Sequence, residues 1–209
     1  DRKAWRWPLP RPVVEAALAG GASIAGANLE RDALRAVIRE GARALPPELR
    51  PWLEDPRWTP AQQATLESTI DSGHCGLLPR SQWQPMVLAQ RARDAAMARA
   101  LLDTPAGQRA VLIAGNGHVR RDVGVPWYLE LAGVPAAEIV ALGYVERGDD
   151  DEAAYPRTAF DAVRALPAAQ REDPCAALRN RRPEDQRLRK LCRPPPSPYP
   201  DKTPTASPP

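Results

Sequence analysis

Two histidines stand in the 209 residues, and both fall where a regular element is expected to stop. His118 closes the run Gly115-Asn116-Gly117-His118, directly after the apolar residues Val111-Leu112-Ile113. Those residues predict a strand over 109–114, and ligands of open α/β sheets bind beyond the carboxyl ends of strands. Glycines at 115 and 117 admit close backbone approach, Asn116 offers a donor and an acceptor, and an imidazole there can ligate a metal or move a proton. Arg120 and Arg121 follow at once, and a guanidinium fork matches a carboxylate. A tight turn with a backbone-bonded histidine would use the same residues, and the two readings stand level at this point. The glycines form no Gly-x-Gly-x-x-Gly series and no Lys-Ser/Thr follows, which argues against nucleotide binding.

His74 stands beside Cys75, just past an expected helix end. A Cys–His catalytic pair is conceivable there. Adjacent residues rarely face one another, so a structural or disulfide role for Cys75 is favoured. The cysteines Cys75, Cys175 and Cys192 match no zinc spacing. One disulfide with one free thiol, or three free thiols, fit equally well. A third group lies inside the longest expected helix, where Met86, Gln90, Arg93 and Met97 share a face with Asp94 beside them. Leu88, Ala92, Ala95 and Leu102 occupy another face, so the helix is expected to be buried on two sides. Polar residues in that setting are costly unless paired. They are read as bracing the glycine loop or lining a pocket, against the alternative of a solvated stripe with Gln90 and Asp94 as an i,i+4 pair.

The elements that must position these groups follow from capping and periodicity. A short helix is expected over 12–18, stopped by Gly20-Gly21, and the small residues 22–27 read as a buried strand. Asp32 can cap a helix with Leu34, Val37 and Ile38 on one face. Residues 44–58 read as irregular. Thr59-Pro60-Ala61-Gln62 has the form of a capping box with Pro at the first helical position. Leu66 and Ile70 lie on that helix's inner face, and Gly73 can end it. Ser81-x-x-Gln84 opens the longest helix, running to about Leu102. A short helix over 126–132 and a second strand over 139–145 complete a strand–loop–helix–strand unit, so strands 109–114 and 139–145 are expected to be parallel. Residues 148–152 read as an exposed acidic loop. The segment around Phe160 and Val163 fits a strand or a helix, and 175–191 reads as a charged helix. The Pro-rich stretch 193–209 is expected to be disordered. The fold class is therefore α/β, a mostly parallel sheet flanked by helices, with one domain over 1–192.

Composition sets wider bounds. Apolar residues make up 43 % and aromatics 5 %, so aliphatic side chains must fill most of a core. The 29 basic and 26 acidic residues are well mixed, and no basic stripe with interleaved aromatics points to nucleic acid. No stretch reaches the roughly 20 apolar residues of a membrane helix.

Taken together, Ala89-Gln90-Arg91-Ala92-Arg93-Asp94-Ala95-Ala96-Met97-Ala98 and the later Ile113-Ala114-Gly115-Asn116-Gly117-His118-Val119-Arg120-Arg121-Asp122 resemble the ChaN-like haem-binding, iron-regulated proteins of bacteria. Ala27-Asn28-Leu29, His74-Cys75 with Leu78-Pro79, and Arg171-Glu172-Asp173-Pro174-Cys175 extend the resemblance in order over about 5–178. It implies the α/β fold shared with erythromycin esterases and Tiki-type metalloproteases. It also implies a haem-binding protein of the bacterial envelope, periplasmic or a lipoprotein of the outer membrane, that serves haem and iron acquisition. No match is present to the family's first strand and its Gly-Glu-x-His type segment. The fold is thus expected to be incomplete at the N-terminus, and any lipid anchor to lie outside this chain. The resemblance makes His118 and His74 candidate iron ligands or neighbours of one. Asn116, Gln90 and Arg93 become candidate pocket residues, with Arg120 and Arg121 as partners for haem propionates. Tyr128, Tyr144 and Tyr155 are weaker candidates, because a phenolate can ligate ferric haem but a packed tyrosine is commoner. A homodimer held through haem is also implied. A binding module is favoured over an enzyme. The alternatives are a metal-dependent hydrolase related to Tiki-type proteases or erythromycin esterases, and a degenerate, truncated paralogue.

Overall fold

The computed structural model describes residues 8–147, 155–168, 173 and 175–176. Helices α1 (Arg11–Ala19), α2 (Arg31–Glu40), α3 (Arg50–Leu53) and α4 (Pro60–Gly73) lead to the long α5 (Trp83–Leu102). After it come α6 (Asn116–Val119), α7 (Val125–Leu131) and two strands, β1 (Leu142–Glu146) and β2 (Ala162–Leu166). Helix α4 starts as its sequence predicts. Thr59 Oγ1 accepts from the Gln62 amide while Gln62 Oε1 accepts from the Thr59 amide, and such a cap contributes about 1 kcal/mol. Asp32 lies in the first turn of α2 but makes no cap bond; Glu30 holds the cap position. Residues 44–58 are less irregular than expected, because Pro51 sits at the start of α3, where its missing N–H costs nothing.

Helix α5 is the hub. Alanines 89, 92, 95 and 98 are buried along it, and their small side chains let α2, α4 and α7 pack against it. Val37, Leu45, Leu49, Leu53, Met97 and Tyr128 fill one core around these alanines. Leu66, Ile70, Val87 and Val123 form a second where α4 meets α5. Helix α5 is thus buried on more than one side, as its sequence predicts.

The sheet differs from expectation. Strands β1 and β2 pair in parallel, from Leu142 with Ala162 to Glu146 with Leu166, so the segment around Val163 is a strand. Residues 109–115 form no strand. Leu112 and Ala114 pack on the core while Val111 is 86 % and Ile113 56 % exposed, the alternation of a half-buried strand. Their backbone has no ladder partner among the described residues, and without a neighbour extended chain is not a strand. The small-residue run 22–27 is likewise irregular and exposed. The expected acidic loop at 148–152 and the tail 193–209 lie outside the described residues, as does nearly all of the expected helix 175–191.

Cys75 and Cys175 form a disulfide across 100 residues of sequence, which decides between the alternatives left open for the cysteines. Cys75 sits at φ 62 just past the end of α4, a left-handed turn that carries the chain away from the helix.

Candidate functional site

The site is built where α6 meets α5. Residues 109–115 deliver the chain to Asn116, whose carboxamide takes the place of a neighbouring strand. Its Nδ2 donates to the Tyr144 carbonyl at 2.6 Å and its Oδ1 accepts from the Tyr144 amide at 3.2 Å. The glycine loop is thereby clamped to the edge of β1. One turn of helix then turns His118 inward, and the residue is 9 % exposed. The chain doubles back so tightly that Gly124 donates to the Arg120 carbonyl. A Cβ at Gly124 would stand only 2.4 Å from the His118 carbonyl oxygen, so no other residue fits there without a backbone shift.

His118 Nδ1 lies 2.6 Å from Asp94 Oδ1 and 2.9 Å from Gln90 Nε2. The shorter, charge-assisted contact assigns the proton: Nδ1–H donates to Asp94, Gln90 Nε2 lies beside the ring without donating to it, and His118 Nε2 carries the lone pair. Asp94 is fully buried, and its Oδ2 has no hydrogen-bond partner. Burial pushes the Asp94 carboxyl up from 3.8 to about 6, against the hydrogen bond and charge of His118 and the charge of Arg93. Arg93 Nη1 donates to Gln90 Oε1 at 3.3 Å, and its Nε donates to Asn28 Oδ1 at 3.2 Å. Gln90, Arg93, Asp94, Asn116 and His118 thus converge. Asp94 is the central residue that the sequence reading left at the margin. Its signal was a lone carboxylate among Ala92, Ala95 and Met97, on a helix with apolar residues on two faces.

The other candidates lie elsewhere. His74 caps α4, its Nδ1 at 2.7 Å from the Ile70 carbonyl, and no hydrogen bond or ion pair joins it to His118. Arg120 is buried and forks onto Asp122 at 2.9 and 2.6 Å. Arg121 ties the turn to the sheet, donating to Asp161 at 2.7 Å, Glu130 at 2.6 Å and the carbonyls of Ala136 and Ile139. Burial works to raise the Asp161 carboxyl, but bonds from the Ala141 amide and Arg121 outweigh it and the net shift is downward. Both guanidinium groups foreseen as propionate partners are engaged within the protein. Tyr128 is fully buried and accepts from Arg91 Nε; burial raises its pKa, so it stays a neutral phenol.

An imidazole held by a buried carboxylate is a known way to present one basic nitrogen to a metal. The sequence model of the family described as haem-binding uptake, Tiki superfamily, ChaN matches residues 1–129, which include every residue of this cluster. The chain belongs to this family. In this ChaN-family chain the matched region ends within α7, before β1 and β2. No curated protein and no solved structure matches the chain.

Among the described residues of this ChaN-family chain, no three or more His, Cys, Asp or Glu side chains converge as a metal site. A bare catalytic metal ion needs about three protein ligands. Haem iron arrives with four porphyrin nitrogens and needs one axial donor from the protein. One imidazole among the described residues meets the haem requirement for a protein donor, and no three-ligand set for a bare ion is found among them.

Proposed function

We propose that this chain binds haem with His118 Nε2 as an axial ligand, in the service of haem or iron uptake in the bacterial envelope. The observation that carries the reading is the Asp94–His118 pair, which fixes the tautomer with Nε2 available and strengthens its basicity. Arg93 holds the Gln90 amide beside the ring, and Asn116 fixes the loop that bears it. Ile113, Leu142 and Tyr144, on the two segments joined by Asn116, expose apolar surface of the kind a porphyrin face covers. The bound haem would supply an iron for storage or transfer. The protein's own part is to present one nitrogen and to cover the ring.

A disulfide between Cys75 and Cys175 suits an oxidising compartment, which supports the envelope. Among the described residues no helix is long and apolar enough to cross a membrane, and attachment through a lipid anchor outside this chain remains part of the proposal. One imidazole leaves the sixth position of the iron for another donor, and a second copy of the chain supplying it would give the homodimer through haem.

Haemin titration followed at the Soret band tests the reading. A saturable, shifted band is expected, lost or strongly altered in His118→Ala and shifted in Asp94→Asn, with mass doubling at saturation if a second copy ligates. An unchanged spectrum and affinity in His118→Ala would remove His118 as the ligand. His74→Ala is expected to leave the band as it was.

A further inference from the structure

A mostly apolar cavity with one buried cation, Arg91, in its lining lies away from His118, between the end of α2, α4 and α5. It measures about 280 Å³ and is lined by Gly41, Gln63, Gln84, Leu88 and Arg91 among others. None of the hydrogen-bond partners of His118 lines it. On α5 the residues Gln84, Leu88 and Arg91 recur at helical spacing and present one continuous stripe.

Arg91 is 8 % exposed, and among the described residues no carboxylate forms an ion pair with it. Its Nε donates to the Tyr128 hydroxyl at 3.1 Å and its Nη2 to the Leu53 carbonyl at 2.9 Å. One face of the guanidinium lies over the Trp58 ring, 4.1 Å from the centroid. These contacts fix the plane of the group without cancelling its charge. Among the described residues Nη1 has no hydrogen-bond partner. Asp94 Oδ2 is the only sealed side-chain N or O atom left unbonded among the described residues, so Nη1 keeps some access to solvent, and Arg91 lines the cavity. A buried cation with neutral partners is costly and gains from an anion. Gln63 is engaged with Trp58 and Glu67, whereas Gln84 is exposed at the mouth with its amide unbonded. Gly41, at φ 68, adds no side chain to the opening.

We propose that this cavity binds a small carboxylate or phosphate, held by Arg91 Nη1 and met at the mouth by the amide of Gln84. Its volume sits just below the usual range of about 300–1,000 Å³ for ligand pockets, so the group bound is small or is the acidic end of something larger. The guanidinium geometry favours a planar or tetrahedral oxyanion over a halide.

Inorganic phosphate and acetate, titrated at constant ionic strength against the whole chain, test this. The readouts are the Arg91 Nε–Hε resonance and the Trp58 indole resonance. Saturable shifts are expected, with chloride giving none. Replacing Arg91 also removes the bonds to Leu53 and Tyr128, so the deciding variant is Gln84→Glu, an exposed and unbonded position. It is expected to weaken phosphate about fivefold, the size of one unit-charge repulsion in a water-like dielectric. If Gln84→Glu loses phosphate but keeps its Soret response to haemin, the anion is a free one. If it loses both, the carboxylate is a propionate of the porphyrin. No saturable shift, an equal response to chloride, or equal phosphate affinity in Gln84→Glu overturns the proposal.

Discussion

Replacing His118 by Ala removes the only hydrogen-bond partner, among the described residues, of a carboxylate that is 0 % exposed. Asp94 Oδ2 is already unbonded, so both oxygens would then be stranded. Breaking a buried pair in this way costs about 3–5 kcal/mol at neutral pH. The carboxyl can escape part of that cost by taking a proton, which makes the loss depend on pH. The folded-state value of about 6 lies above the ordinary 3.8, so between them the folded state binds more protons than the unfolded state. The stability this group contributes is therefore complete below about pH 4 and is lost as pH rises through about 6. In the haem-free wild type the displacement corresponds to about 3 kcal/mol, lost over that window and level above it. In His118→Ala the hydrogen bond and charge of His118 that lowered the value are gone and only the Arg93 charge is left to lower it, so the fall extends to higher pH. Urea unfolding followed by tryptophan emission at about pH 5 and about pH 7.5 reads this directly. The deficit of His118→Ala should be small at the lower pH and several-fold larger at the higher. Adding Asp94→Asn should recover most of the loss at about pH 7.5, since a neutral amide is far cheaper to bury. A His118→Ala deficit below about 1 kcal/mol at about pH 7.5, or one that is equal at both pH values, would refute the reasoning.

Gly124→Ala forces the new methyl against the His118 and Arg120 carbonyls and should lower stability by about 1–3 kcal/mol, read as a fall in Tm. The Cys75–Cys175 bridge closes a loop of 100 residues, so Cys75→Ser should cost about 2–5 kcal/mol by urea unfolding; non-reducing peptide mapping should find the two cysteines in one linked peptide.

How far the sequence foretold this structure depends on the range of the interaction. Local signals held. The capping box at Thr59–Gln62 and the extent of α5 need only neighbours a few residues away. The apolar face of α2 is local too, with Val37 buried and Leu34 and Ile38 packed beside it. The His118 loop stood out because glycines, an asparagine and a histidine after an apolar run rarely coincide, and the structure sets it against Asp94 of α5. Long-range partners were not legible. Arg120 and Arg121 look the same in sequence whether they face a ligand or Asp122 and Asp161, and only the tertiary structure places those carboxylates. Asp94 lies 24 residues from His118, and nothing in helical periodicity says which face of α5 the loop will meet. The strand expected over 109–114 kept its alternation but formed no ladder, because a pattern of side chains cannot report whether a second backbone lies alongside.

The clamp of Asn116 on Tyr144 also governs how the molecule ages. An asparagine followed by glycine is chemically labile, because the unhindered glycine nitrogen can attack the side-chain carbonyl and expel ammonia. Here that carboxamide is tethered at both ends to β1 and the nitrogen belongs to a helical turn, so the folded chain keeps the two apart. Deamidation must therefore begin in molecules whose loop has lifted from the sheet. The product carries a carboxylate where the Tyr144 carbonyl requires a donor, so the loop cannot close again as before. The gain of one mass unit at residue 116 becomes a clock that runs only while the clamp is open.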